Sequence, residues 1–185
     1  MKKRWVFIFF IALAFIQLSV PGYMIYTNED TFRNGEAFKF VIRPVDPTDP
    51  FRGEYITLSF ALNEFETEEK GWKYNSDIFI ALDRDENGIA VIKSVSSKAP
   101  SHTEVYIKAK VTGYYEGKVS FQLPFNRFYM KEYRAYEAER LFREQVREGT
   151  GQDHYAIVFI KKGHALIADV FLDGTSVNKI YQSSK

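Results

Sequence analysis

The stretch that decides the fold runs from Glu104 to Leu123, EVYIKAKVTGYYEGKVSFQL. Apolar and polar side chains alternate in both of its halves, which is typical of half-buried β-strands. Glu116-Gly117 separates the halves, and a short connection that contains Gly favours a β-hairpin. Because strands joined by a hairpin run antiparallel, this stretch predicts an antiparallel sheet.

Further predicted strands lie on both sides of this hairpin. Asp83–Gly88 and Lys161-Lys162-Gly163 are turn-rich connections that predict two more hairpins. The predicted strands are Glu36–Val45, Glu54–Glu66, Ser76–Leu82, Gly88–Ser94, His154–Lys161, Ala165–Leu172 and Thr175–Tyr181. Glu54–Glu66 is predicted to be one half-buried strand, and the residues on its apolar face are Ile56, Leu58, Phe60 and Leu62.

The period of the apolar residues changes between Lys131 and Glu148, where they recur three or four positions apart. This spacing predicts an amphipathic helix over about 133–148. The fold class is therefore predicted to be α+β: a mainly antiparallel β-sheet with one amphipathic helix, preceded by an N-terminal transmembrane helix.

The N-terminal segment predicts a membrane anchor. Trp5–Val20 has only Gln17 and Ser19 as polar members, and it follows a basic Met-Lys-Lys-Arg. These residues cover about 24 Å as a helix, and continuation to Tyr26 gives about 33 Å, enough for a hydrocarbon core of ~30 Å. The basic flank places the N-terminus inside. We therefore expect an anchor over 1–28 and one extracytoplasmic domain over 29–185, at the cell membrane.

A cleaved secretory signal is the competing interpretation, since both kinds of segment have a basic and an apolar region. A signal peptide needs small residues at its cleavage site. The end of the apolar segment, Gln17–Gly22, has Ser19 but no A-x-A pattern, and Pro21 disfavours cleavage next to it. These features favour an anchor over a cleaved signal.

Composition excludes several classes of protein. Without the three cations at positions 2–4, the chain has 25 − 3 = 22 Lys and Arg against 24 Asp and Glu. A nucleic-acid binder normally has an excess of basic residues, so this class of protein is excluded. The absence of Cys excludes disulfides, thiolate metal sites and cysteine nucleophiles. No cofactor is predicted, and no G-x-S-x-G elbow or Walker loop is present.

Two features of the sequence resemble parts of metal sites. Asp83-x-Asp85-x-Asn87-Gly88 matches the opening of a calcium-binding EF loop, but Ser94 stands where the bidentate Glu belongs. A polar hairpin tip is the favoured interpretation. His154 and His164 bracket a predicted hairpin and could approach each other, yet no histidine pair has the spacing of a zinc site. We expect no metal site.

Residues 43–55 form the most unusual segment, RPVDPTDPFRGEY. Its three prolines each fix φ and hold the preceding residue extended, which predicts a rigid polar turn that leads into a strand. It is predicted either to be a stiff loop held by internal ion pairs or to be a preorganised binding patch. The candidate patch residues are Arg43, Asp46, Asp49, Arg52, Gly53, Glu54 and Tyr55.

At these residues the chain resembles the GDYXXLXY family of membrane-anchored bacterial proteins. The motif stands here as Gly53–Phe60, GEYITLSF, after an R-P-x-D-P lead-in at Arg43–Pro47. Arg127–Glu132 is similar to the family's aromatic-rich segment before an acidic helix. Glu54 replaces the motif's Asp and Phe60 replaces its last Tyr. The resemblance implies no particular activity, but it makes a multi-spanning membrane protein the first partner to suspect.

Two functions remain open at this point. The first is a non-enzymatic module that binds an integral-membrane or envelope partner through residues 43–60, which the anchor would hold near the membrane. The second is an envelope hydrolase that uses carboxylates to divide acid and base roles. Its candidate groups are Asp46, Asp49, Glu54, Glu132 and Glu139, and they would have to converge on one pocket.

Overall fold

The structure, a computed structural model, describes residues 2–43, 55–100, 105–129, 154–172 and 174–177. The helix predicted over about 133–148 lies outside these residues. The elements described are α1 (Lys2–Asn34), β1 (Glu36–Arg43), β2 (Tyr55–Thr57), β3 (Ser59–Phe60), β4 (Glu64–Glu66), β5 (Asp77–Arg84), β6 (Ala90–Ser96), β7 (Tyr106–Tyr115), β8 (Lys118–Gln122), β9 (Arg127–Tyr129), β10 (Tyr155–Lys161), β11 (His164–Leu172) and β12 (Thr175–Ser176).

The strands form two antiparallel sheets of five strands and one antiparallel ribbon. The first sheet has the order β12-β11-β10-β1-β3, the second has the order β4-β8-β7-β5-β6, and the ribbon joins β2 to β9. The three predicted hairpins are confirmed as β5–β6, β7–β8 and β10–β11. The long helix followed by antiparallel sheets confirms the predicted α+β class.

The predicted strand Glu54–Glu66 differs from the structure, which divides it into β2, β3 and β4. Each part pairs with a different strand: β2 with β9, β3 with β1, and β4 with β8. The predicted apolar face is nevertheless real, because Leu58 and Phe60 are buried and Thr57 is exposed. The side-chain period is local, whereas the change of partner depends on strands far along the chain.

One hydrophobic cluster fills the space between the two sheets. It takes alternate residues from strands of both, because successive side chains of a strand point to opposite faces. Burial of each such side chain contributes about 1.5–3 kcal/mol relative to exposure. Its completely buried members include Phe40, Val158 and Ile160 from the first sheet and Ile78, Ile80 and Ile107 from the second.

The two sheets also touch through backbone at one end. The Lys39 amide donates to the Gly88 carbonyl at 3.4 Å, and the Lys108 amide donates to the Gly163 carbonyl at 3.2 Å. Each contact joins a strand of one sheet to a hairpin turn of the other. The bridge from Lys39 to Ile89 is parallel, so β1, β6 and β7 run in the same direction, away from this end.

The apolar part of α1 points outward on all sides. The helix is long and apolar enough to cross a membrane, and none of its most apolar window is buried. Trp5 is 60% exposed and Ile25 is 70% exposed. Pro21 lies inside the helix, where proline removes a hydrogen bond at a cost of ~3 kcal/mol in soluble helices. Prolines are tolerated in membrane-spanning helices.

The last turns of α1 pack against β10 and β11. Thr31 is 2% exposed, and the Phe32 and Phe159 rings meet edge to face with centroids 5.4 Å apart. Lys161 Nζ lies 2.6 Å from Asp30 Oδ1. A single residue, Gly35, separates α1 from β1. The helix and the domain are therefore joined by a packed contact and have no linker between them.

The order of these contacts fixes the direction of the strands relative to α1. Phe32 meets Phe159, and the earlier helix residue Asp30 meets the later strand residue Lys161. β10 therefore runs locally antiparallel to α1, toward its apolar part. β1 pairs antiparallel with β10, so β1 runs away from that part. The end of the domain with the turn Lys162-Gly163 is the end nearest the apolar helix.

The junction gives a first prediction. A Cβ atom built on Gly35 would lie 2.3 Å from the Thr31 carbonyl oxygen, which is backbone and has little room to move. Gly35→Ala should therefore destabilise the domain by roughly 1–3 kcal/mol, as overpacking does. Thermal unfolding of the detergent-solubilised full chain measures this loss of stability, because the melting temperature falls by about 2–4 °C for each kcal/mol.

Gly113→Ala is the matched control, because a Cβ atom at Gly113 meets nothing within 4 Å. An equal melting temperature for the two variants would contradict a tight junction at Gly35.

A second prediction concerns the stability of the domain at low pH. The Lys110 ammonium, 2.7 Å from Asp77, and then that of Lys108, 2.9 Å away, lower the pKa of Asp77 from 3.8. A lowered folded-state pKa stabilises the domain above pH 3.8, and this contribution is lost as the pH falls through the folded pKa. Asp77→Asn should therefore be slightly less stable than the wild type at pH 7. Denaturant titrations should show the stabilities of the two proteins converging as the pH falls below 3.8, whereas a constant difference would contradict the ion pairs.

Candidate functional site

The motif strand changes its hydrogen-bonding partner at Leu58. Before this residue β2 pairs with β9, and after it β3 pairs with β1. The Leu58 amide donates to the Asn126 carbonyl at 2.8 Å, and its side chain is 4% exposed. Leu58 therefore anchors the point at which the strand leaves one ladder and enters the next.

Phe60, the last motif residue, belongs to an aromatic cluster in the core. Its ring meets those of Phe40 and Phe125 edge to face, with centroids 5.9 and 5.2 Å apart. Such pairs contribute about 0.5–1.5 kcal/mol beyond the burial of area. The motif's Leu and its last aromatic position thus hold the strand in place, and the substitution of Phe for Tyr retains the ring.

The β2–β9 ribbon brings together the two segments that carry the family resemblance. Tyr55 pairs with Tyr129, and Thr57 pairs with Arg127, although some seventy residues of chain separate them. The segment Arg127–Glu132 was noted in the sequence for its resemblance alone, and Arg127 was not predicted as a site residue. Its aromatic-rich composition was the available signal, but only the strand register places it beside the motif.

The outward side of this region presents four polar residues, which we call the motif face: Arg43, Thr57, Ser59 and Arg127. Arg43 is directly opposite Ser59, and Arg127 is directly opposite Thr57. Because residues two apart in a strand share a face, the two hydroxyls lie between the two cations. The motif face therefore presents hydroxyl and guanidinium groups on a strand that core packing holds in place.

A cleft of about 400 Å³ lies beside the motif face. Its walls include Leu58 and Phe60, and among the described residues its polar lining has neither carboxylate nor cation. This volume falls within the range of ligand pockets, which is about 300–1,000 Å³. The polar groups are hydroxyls and amides, which recognise hydrogen-bonding partners rather than charge. They belong to Thr57, Ser59, Asn63, Thr112, Gln122 and Asn126.

The structure places two of the seven predicted patch residues. Arg43 ends β1 and is exposed, and Tyr55 begins β2. The other five, Asp46, Asp49, Arg52, Gly53 and Glu54, lie outside the described residues, as do Glu132 and Glu139 of the hydrolase hypothesis. The described residues therefore do not test whether these carboxylates converge.

The features weighed as metal sites have other roles in the structure. Asp85 Oδ1 accepts hydrogen bonds from the amides of Asn87 at 2.9 Å and Ile89 at 2.8 Å, so this carboxylate organises the hairpin tip. Gly88 takes a φ of 76°, which favours glycine. Within the described ranges, no group of three or more His, Asp and Glu side chains is placed to hold a metal ion.

The two histidines that bracket β10 do not approach each other. His154 precedes the strand and is 5% exposed, whereas His164 follows it, opposite Lys161. Seven residues of extended chain separate the two positions by roughly 23 Å. The hairpin places one histidine at each end of the domain.

The motif face extends from the end of β1 to a cleft beside the start of β11. β1 begins beside the end of α1 and runs away from it for seven residue steps, or roughly 23 Å, to Arg43. Arg127, by contrast, lines a cleft with Ala165, Leu166 and Ile167, which follow the turn Lys162-Gly163. That the anchor holds residues 43–60 near the membrane stays a prediction.

Comparisons with known proteins give one family. The model of a family described as GDYXXLXY protein matches residues 17–170, which includes the motif, the β9 segment and most of the domain. No curated protein and no solved structure matches the chain.

A third prediction separates the structural from the exposed residues of the motif. Leu58→Ala should destabilise the domain by about 2–5 kcal/mol, because it leaves a cavity at the point where the ladders meet. Thr57→Ala, at the exposed neighbouring position, should change stability by less than about 0.5 kcal/mol. Chemical denaturation of both variants measures this. A Leu58→Ala domain as stable as the Thr57→Ala domain would contradict the assigned role of Leu58.

Proposed function

Since the chain belongs to the GDYXXLXY family, we propose that it is a membrane-anchored extracytoplasmic module that binds an integral-membrane or envelope partner. In this proposal α1 spans the bilayer, and the partner contacts the motif face together with the 43–55 patch. The patch residues are Arg43, Asp46, Asp49, Arg52, Gly53, Glu54 and Tyr55. The observation that carries the proposal is the β2–β9 ribbon, which joins the two family segments into one surface.

The exposed apolar surface of α1 supports the anchor. Large side chains such as Phe9 at 70% and Phe15 at 73% exposure would meet water in a protein free of the bilayer. Contiguous apolar surface of this extent marks a membrane or protein contact. A span from Trp5 to Tyr26 buries it, with Tyr23 and Tyr26 at the interface, where aromatic residues are enriched.

Charge supports the orientation of the anchor. Lys2, Lys3 and Arg4 precede the apolar residues, and the next cation is Arg33. Positive residues beside a span are retained in the cytoplasm, so the N-terminus lies inside and the domain lies outside.

The position of the motif face narrows the kind of partner. Arg43 lies roughly 23 Å along β1 from the end of α1, so a partner that contacts Arg43 binds outside the bilayer. An integral-membrane partner therefore contacts it through an extracytoplasmic loop or domain. Arginine pairs with carboxylates in two parallel hydrogen bonds, and such groups on the partner suit the exposed Arg43 of the face.

Site-specific photocrosslinking in intact cells tests the proposal. A photoreactive residue at Thr57 should form an adduct with a membrane or envelope protein, because Thr57 lies at the centre of the motif face. The same residue at Tyr74, which is 82% exposed but outside the face, is the control. Arg52→Ala/Glu54→Ala, in the patch, should reduce the Thr57 adduct at least tenfold while the domain stays folded.

Two outcomes would overturn the proposal. Equal adducts from Thr57 and Tyr74 would mean that the face has no special role. Failure of a membrane-impermeant maleimide to label a Tyr115→Cys variant in intact cells would contradict an extracytoplasmic domain. The chain has no native Cys, and Tyr115 is 75% exposed, so this label reports one position.

A further inference from the structure

The turn that joins β10 to β11 lies at the end of the domain that faces the apolar helix. Lys161 pairs with His164, and the two central residues have positive φ, 48° at Lys162 and 86° at Gly163. This is the geometry of a type I′ turn, which ordinarily has Asn or Gly at its first central position. A Lys in this left-handed conformation is strained, and both Lys162 and His164 are exposed.

The packing behind the turn fixes its position. A Cβ atom at Gly163 would lie 2.9 Å from Tyr106 Cε2, so the turn packs closely against this ring. Lys161, which directly precedes the turn, forms a salt bridge with Asp30 of α1. Lys162 is therefore held by contacts to the second sheet and to the helix.

The height of the turn above the hydrocarbon follows from the helix. Asp30 is four residues beyond Tyr26, a rise of about 6 Å. A bilayer has polar headgroup layers of about 5–8 Å on each side of its hydrocarbon core. Ile160 lies beside Gly35, since a Cβ atom at Gly35 would be 3.2 Å from the Ile160 backbone. Two strand residues carry Lys162 about 7 Å from there toward the bilayer, so Lys162 lies near the level of Asp30, which is five helix residues before Gly35. If the span ends at Tyr26, Lys162 lies within the headgroup layer.

The charge of the turn suits an anionic surface. The helix carboxylates at this level each pair with a cation, Glu29 with Arg33 and Asp30 with Lys161. The charge of Lys162 is additional to these pairs. A lysine near an anionic leaflet gains attraction that falls off within about 10 Å, the Debye length at 0.1 M salt.

We propose that the turn Lys161–His164 sits in the outer headgroup layer and that the Lys162 ammonium binds the phosphates of anionic phospholipids. This contact is a second attachment of the domain to the membrane, separate from α1, and it restricts the tilt of the domain. The inference rests on the proposed spanning role of α1.

The β7–β8 turn supplies a matched control. Glu116 and Gly117 have φ of 48° and 80°, nearly the same as Lys162 and Gly163. β7 runs from beside Gly163 to Glu116, nine residue steps from Ile107 or roughly 30 Å, so this second turn lies at the far end. The two turns share a backbone conformation and differ in charge and in distance from the membrane.

Depth measurement tests the position of the turn. Lys162→Cys and Glu116→Cys variants of the full chain, each labelled with a fluorophore, are placed in nanodiscs that contain headgroup-spin-labelled phosphatidylcholine. Strong quenching at position 162 and none at position 116 supports the proposal. No quenching at either position in a chain that resists carbonate extraction overturns the turn contact and leaves the anchor intact. A chain released by carbonate overturns the anchor itself.

The dependence of the melting temperature on lipid charge tests the role of the Lys162 ammonium. The melting temperature of the wild type should be about 2–4 °C higher in nanodiscs with phosphatidylglycerol than with phosphatidylcholine alone. Lys162→Asn, which suits the left-handed conformation, should lose this difference, and Glu116→Asn should retain it. High salt should abolish it. An equal melting temperature of the wild type in both lipids, or an unchanged difference in Lys162→Asn, would overturn the role of Lys162.

Discussion

The antiparallel pairing of β1 with β10 is the interaction on which the arrangement of the molecule depends. Six consecutive residue pairs, from Glu36↔Ile160 to Val41↔Tyr155, join the two strands in the middle of the first sheet. One end of this ladder receives the last turns of α1, and just past its other end Arg43 pairs with Ser59 of the motif strand. The ladder therefore sets the distance between the helix and Arg43.

Several parts of the fold were predictable because they depend on local rules. Glu116-Gly117 and Lys162-Gly163 each close a hairpin with two residues of positive φ, and glycine at the second position marks such turns in a sequence. The period-two pattern then identifies which residues face the core. The apolar helix was equally evident, although the structure extends it through Pro21 to Asn34.

The remaining parts depend on contacts between distant residues. Nothing in the alternation from Ile56 to Phe60 marks Leu58 as the point where the ladder partner changes, because that change is set by Asn126 and Val41, far away in the chain. Arg127 joins the motif face for the same reason. Of the predicted patch, only Arg43 and Tyr55 could be placed. Arg43 ends an eight-residue strand that leads away from α1, whereas the position of Tyr55 depends on its pairing with Tyr129 of β9.

Because the single residue Gly35 joins α1 to β1, the helix and the domain move together as one rigid body. With no flexible joint, a change in the tilt of α1 turns the domain through the same angle. The helix beyond Tyr26 and the length of β1 together give an arm of roughly 35 Å. A helix tilt of about 20°, the average for membrane-spanning helices, displaces the far end of such an arm by roughly 12 Å relative to an upright helix. With α1 in the bilayer, as proposed, the tilt of the helix therefore sets the position of the far end of β1, and the proposed contact at Lys162 would limit it.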